Sequence, residues 1–263
     1  MNLPADPNVQ RIVVTRLRFL GDVILTLPLV EALRSLYPQA RIEYLLAAPF
    51  DQLLTGHPSI DRVHVLPSDA SWRDTLSIIR ELRSPRIDWW FDLFTNPRSC
   101  VIGALANPRH SVGNDSGLRS RLYDYRLDRP PGDPSAIRHH LAKLEPIVGE
   151  RFDDYVAMPR LWLDESELEQ ARQRHGIDPA APPILVHAGS TWPDKAWPID
   201  SWVKLIAEME ASGIGPMWLI TPPGEEDVVE GLSARTGLRR IESLPLRELL
   251  ALVANARLYV GND

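Results

Sequence analysis

The sequence predicts an α/β protein made of two Rossmann-like halves, and three observations lead there. Near the N-terminus a short apolar run, Ile12-Val13-Val14, enters a glycine-containing stretch and then a helical pattern. That order is the first β-turn-α of a parallel sheet. Between residues 184 and 261 short apolar runs again alternate with segments of 3.6-residue period. Between these regions an apolar, proline-containing segment around Met158-Pro159-Arg160-Leu161 precedes an acidic helix pattern. We expect a hinge there, giving domains of residues 1–160 and 161–263.

Bulk properties narrow the class. The 263 residues are 44% hydrophobic and 24% charged, ordinary for a globular chain with ample material for a core. No run approaches the roughly 20 apolar residues that span a bilayer. Residues 1–7 lack the basic flank and apolar centre of a signal peptide. A single cysteine, Cys100, rules out an internal disulfide, suits a reducing compartment and reads as a small buried hydrophobe. A net charge of −6 argues against wholesale nucleic-acid binding. Residues 98–143 nevertheless carry eight Lys or Arg against four Asp, a local excess of four positives.

Each element follows from local pattern. Arg16-Leu17-Arg18-Phe19-Leu20-Gly21-Asp22 lies at the carboxyl end of the first strand, where open α/β sheets bind ligands. Gly21 permits a tight turn or close approach of a ligand. Asp22 suits a general base at the lip of a cleft, or a helix cap. A helix follows over residues 29–37. Residues 41–46 read as a strand, 49–54 as a short helix and 62–66 as a strand, with His57 in a turn and His64 exposed. Trp72, Leu76, Ile79 and Leu82 repeat at helical spacing within residues 71–83. Residues 87–94 form an aromatic-rich strand, and the loop after it carries Arg98. Residues 113–134 show little periodicity and read as a long functional or mobile loop. Its Arg119 and Arg121 could present guanidinium forks to phosphates, as could Arg126. His139 and His140 open a helix, but no partners at metal-ligand spacing accompany them.

Asp164 and Glu167 resemble a capping box, and Gly176 ends the helix they start. Then come a strand over 184–187, a helix over 199–211, a strand over 217–221, helices over 225–234 and 246–254, and a strand over 258–261. Ala188-Gly189-Ser190-Thr191 offers free N–H groups and two hydroxyls as a phosphate cradle, and Lys195 adds a point charge. The spacing is not that of a P-loop. Glu225 and Glu226 would be favourable at a helix N-terminus.

The pattern R-x-x-x-L-G-D-x-x-L-T-x-P over residues 16–28 resembles the opening of the family 9 glycosyltransferases, the lipopolysaccharide heptosyltransferases. Residues 184–190 with Lys195-Ala196-Trp197-Pro198 are similar to a second family block, and Tyr259-Val260-Gly261-Asn262-Asp263 to a third. The resemblance implies the GT-B architecture, two Rossmann-like domains facing a cleft, the second incomplete here. It implies an inverting transfer of heptose from ADP-heptose to the phosphorylated inner core of lipopolysaccharide, with no cofactor beyond the donor and no metal. Asp22 would be the base and Lys195 would stabilise the leaving diphosphate. Gly21, Gly189, Ser190, Thr191, Glu226 and Asp263 would face the donor. Arg18, Arg98, Arg119, Arg121 and His140 would face the acceptor. The resemblance also implies a cytoplasmic enzyme held peripherally at the inner membrane surface. Because the chain stops at Asp263, where the family continues into a glycine-rich turn, we expect a C-terminally truncated chain with an exposed sheet edge. A relative using another nucleotide sugar, or a non-catalytic nucleotide- or carbohydrate-binding module, remains the alternative.

Overall fold

Strand β1 (Arg11–Thr15) is buried along its whole length, as the unbroken apolar run of a central parallel strand requires. The computed structural model describes residues 8–115, 117–127, 135–190 and 193–262. The chain divides into two units, Met1–Trp162 and Leu163–Asp263, two residues beyond the expected 160/161 boundary.

In the first unit β1 leads to α1 (Leu20–Leu25) and α2 (Leu27–Leu36), then β2 (Arg41–Ala47), β3 (Arg62–Leu66) and α3 (Trp72–Leu82). After these come β4 (Trp89–Asp92), α4 (Pro97–Ala106), β5 (His110–Gly113), β6 (Tyr125–Arg126), α5 (Ala136–Leu141) and α6 (Glu145–Val148). The six strands form one parallel sheet in the order β3-β2-β1-β4-β5-β6. The direction of winding reverses between β1 and β4. Val13, Leu45 and Trp90 face a cluster that includes Ile78, Ile79 and Leu82 of α3 and Cys100 and Ile102 of α4. Alternate residues such as Ile12 and Val14 therefore point to the other face.

Three expectations need correction here. His64 is not exposed: it is buried, with Nε2 2.7 Å from Glu43 Oε2. His57 does lie beside a turn but is also buried, and burial pulls its pKa down to about 4. Residues 113–134 are not one irregular loop, since a 3₁₀ turn (Gly117–Leu122) and β6 lie within them. Tyr123 anchors this segment by lying on Gly113, where an added Cβ would come within 2.5 Å of its ring.

The second unit holds α7 (Glu165–His175), β7 (Ile184–His187), α8 (Ile199–Ala211), β8 (Met217–Ile220), α9 (Glu226–Thr236), β9 (Arg239–Ile241), α10 (Leu246–Ala254) and β10 (Leu258–Gly261). Its parallel sheet runs β10-β7-β8-β9, so winding reverses between β7 and β10. Ile184, Val186 and Leu219 pack on Trp202 and Ile206 of α8, while Leu185 and Trp218 pack on Leu252 of α10. Strand β9 is absent from the sequence expectation because two of its three residues are exposed arginines. At the sheet margin Leu258 and Tyr259 on β10 are about half exposed. Among the described residues, no helix is long and apolar enough to cross a membrane.

Candidate functional site

Both units place their candidate residues at the point where strand order reverses, outside the carboxyl ends of the strands. In doubly wound sheets the crevice opens there.

In the first unit the loop after β1 carries Asp22 at the third position of α1. Its Oδ2 reaches back to the Phe19 N–H at 3.5 Å, so the capping interaction is weak. The stronger partner is Arg16, whose Nη2 lies 2.6 Å from the same oxygen. Oδ1 has no hydrogen bond among the described residues, and the Asp22 side chain is 37% exposed. One oxygen is thus held and the other is open. Gly21 adopts ordinary helical geometry with nothing within 4 Å of a would-be Cβ. Its lack of a side chain leaves open space beside Asp22 and is not needed for the turn itself.

The loop after β4 faces this one. Asp92 is completely buried, and burial raises its carboxyl pKa against the hydrogen bonds it accepts. Its Oδ1 takes the N–H groups of Phe94 and Thr95 at 2.9 and 2.7 Å, and Tyr123 donates to Oδ2 at 2.6 Å. Asn96 then caps α4 through Ser99 and presents Arg98 in the first turn. A hollow of about 60 Å³ at these strand ends is lined by Leu17, Arg18, Ala47, Leu66, Asn96 and Arg98. The structure therefore brings Arg18 and Arg98 together. The Arg98 guanidinium sits 6.0 Å from the ring centre of the exposed Trp72. Arg119 and Arg121 are exposed on the 3₁₀ turn after β5. His140 differs: it is buried, and burial drives its pKa down to about 3, so it is a neutral ring presented to no solvent.

In the second unit Ala188-Gly189-Ser190 follows β7. Asn262, just after β10, ties this loop down by donating from Nδ2 to the Ala188 and Gly189 carbonyls at 2.6 and 3.0 Å. Its Oδ1 accepts the Trp197 N–H at 3.3 Å, which draws in the segment carrying the exposed Lys195. His187 at the end of β7 bridges Tyr259 Oη at 2.6 Å and Glu225 Oε2 at 2.9 Å. Glu225 covers Gly189 so closely that an added Cβ would lie 1.5 Å from its carboxylate. Glu226 instead accepts the Gly224 N–H at 3.0 Å, and backbone hydrogen bonds from Gly224 and itself lower its pKa. Of the two glutamates, Glu225 is the one turned toward the β7 loop. Thr191 and Asp263 lie outside the described residues.

The sequence reading missed Arg16, Asp92, His187, Glu225 and Asn262. Arg16 opens the R-x-x-x-L-G-D pattern and Asn262 sits inside the terminal G-N-D, so both were in view as motif letters.

The profile of glycosyltransferase family 9 (heptosyltransferase) matches residues 75–263. The chain belongs to that family. As a family 9 member it is a glycosyltransferase. It is 22% identical to the lipopolysaccharide core heptosyltransferase OpsX of Haemophilus influenzae, over 95% of this chain and 72% of that protein. The family 9 glycosyltransferase structure from Veillonella parvula superposes with a TM-score of 0.86 at 22% identity, covering 98% of this chain and 76% of that one. The Escherichia coli heptosyltransferase WaaC with ADP-2-deoxy-2-fluoro heptose gives 0.74 at 17% identity, covering 97% and 83%. The fold of this family 9 chain is of the GT-B type.

Proposed function

We propose that this chain transfers heptose, with inversion, from ADP-heptose to a phosphorylated inner-core acceptor of lipopolysaccharide. The observation that carries this reading is Asp22. It has one oxygen fixed by Arg16 and the other open, at the strand-order reversal of a family 9 enzyme. The names of its relatives and the ADP-sugar bound in WaaC support the donor and acceptor classes.

In this reading the acceptor hydroxyl oxygen attacks the anomeric carbon while Asp22 takes its proton. The bond to the diphosphate breaks, and ADP leaves with the electron pair. Lys195, Ser190 and the Gly189 loop offset the charge that grows on the diphosphate. Thr191 and Asp263 would complete that side, and Glu225 or Glu226 would take the ribose hydroxyls. The donor is a substrate, and no cofactor or metal enters the scheme. Arg18 and Arg98 hold the anionic acceptor, with Arg119 and Arg121 at its margin. His140 would serve the acceptor side only by packing behind these groups.

The enzyme would work in the cytoplasm, peripherally attached to the inner membrane, without nucleic-acid partners. Support for attachment comes from exposed Trp72 and Leu76 on α3, Leu105 on α4, and Leu118 and Leu122 on the 3₁₀ turn. Basic Arg73, Arg80, Arg119 and Arg121 accompany them.

Replacing Asp22 with Asn should lower kcat by about 10² or more, the scale of lost general-base catalysis. Transfer from ADP-heptose to a defined inner-core acceptor measures it. Turnover within a few-fold of the parent enzyme would rule Asp22 out as the base.

A further inference from the structure

We infer that Arg16 is a positioning residue for the base, delivered to Asp22 by the turn that follows β4. The inference rests on the reading of Asp22 as the base.

The Arg16 guanidinium is fixed on three sides. Nη2 holds Asp22 Oδ2 at 2.6 Å, Nη1 donates to the Leu93 carbonyl at 2.7 Å, and the Phe94 ring centre lies 4.6 Å from its central carbon. Phe94 and Thr95 are held in turn by Asp92, which accepts their N–H groups. Thr95 adopts φ = 55°, a left-handed geometry uncommon for a β-branched residue. Its Oγ1 accepts the Asn114 N–H at 3.1 Å. The Leu93 N–H donates to Thr15 O at 2.9 Å, closing the link back to β1. An ordered path thus runs from the buried Asp92 across the strand-order reversal to the open carboxylate of Asp22.

Two features argue against a purely structural arginine. Arg16 Nε is buried without a hydrogen-bond partner, an arrangement that a residue kept for stability alone would not favour. The two short polar contacts of the fork join the β4 turn to Asp22. The consequence is a carboxylate with one oxygen held by Arg16, while its other oxygen has no hydrogen bond among the described residues. Misplacing a catalytic group by about 1 Å can cost on the order of 10² in rate.

The test is a double-mutant cycle of Arg16→Met and Asp22→Asn, with kcat, the KM for each substrate and thermal unfolding measured for all four proteins. Arg16→Met should lower kcat by roughly 10- to 100-fold with both KM values little changed. Arg16→Lys, which keeps the charge and loses the fork, should recover part of that loss. In the Asp22→Asn background, Arg16→Met should have no further effect on kcat, because the two residues act as a unit. A full additional loss in that background, or an unchanged kcat in Arg16→Met, overturns the positioning role while leaving Asp22 as the base. Full turnover by Asp22→Asn overturns both. If Arg16→Met fails to fold, the Arg16→Lys cycle decides by the same criterion of additivity.

Discussion

Glu43 sits at the opposite end of the first sheet from Asp22, almost fully buried between Arg11, Arg41 and His64. Arg11 grips it with Nε and Nη2 at 3.0 and 2.7 Å and also donates to the Leu82 carbonyl. Burial alone would raise its pKa, but the hydrogen bonds from His64 and Arg11 outweigh that and hold it at about 2. The folded pKa therefore lies below the ordinary value near 4.5, so ionised Glu43 stabilises the fold above that pH. The contribution is lost as pH falls from 4.5 toward 2. Glu43→Gln should cost about 3–5 kcal/mol at neutral pH by stranding buried Arg11. It should also flatten the acid limb of stability, as read by denaturant unfolding across that range. None of this was legible in the sequence. Glu43 and His64 are 21 residues apart, and each looks like an ordinary polar position in an alternating strand. Arg16 was hidden in the same way, since its second partner, Leu93, lies 77 residues away.

At the scale of elements, pattern and flanking residues carried much further. Helix α10 runs over the expected residues because Pro245 precedes its apolar stripe, and α8 likewise follows Pro198. Asp164 and Glu167 form the expected box at the start of α7, with the Asp164 N–H donating to Glu167 at 2.7 Å. The short or charged strands β6 and β9 carried no readable period, and α4 and β5, between the strand read over 87–94 and the loop read over 113–134, went unread as well. Helix α4 joins fold to site most directly. Asn96 Oδ1 accepts the Ser99 N–H at 2.7 Å and starts the turn that carries Arg98. Asn96→Ala should cost about 1 kcal/mol, with the denaturant m-value unchanged. Asn96→Asp should keep the cap and the stability. Its added charge in the hollow that Arg98 lines should raise the KM for an anionic acceptor, so the pair of variants separates capping from binding.

For the molecule as a whole, repeated β-α alternation was enough to show two doubly wound units, because parallel strands need helical crossovers. The reversal point of each sheet was not legible, since strand order is set by packing between distant segments. The charge pattern also acts at this scale. The chain is net negative at −6, yet α3, α4 and the 3₁₀ turn, neighbours in the first unit, carry exposed arginines together with exposed aromatic and aliphatic side chains. Vesicles containing anionic lipid should bind the protein, and the binding should weaken with salt. Charge-removing changes at Arg119 and Arg121 should weaken it by roughly 2 kcal/mol together, about thirtyfold, at about 1 kcal/mol per basic residue. Sedimentation with vesicles of graded anionic content measures this, and equal binding to neutral vesicles would refute it.

The lone thiol is sealed. Cys100 lies under the Tyr123 hydroxyl at 3.1 Å, and burial pushes its pKa up, so the reactive thiolate is scarce. These 263 residues are therefore a silent background for thiol-directed chemistry. A cysteine placed at exposed Ser77 on α3 and another at exposed Glu210 on α8 would take spin or fluorescent labels alone. The separation of the two units could then be followed through a catalytic cycle without first engineering a cysteine-free parent.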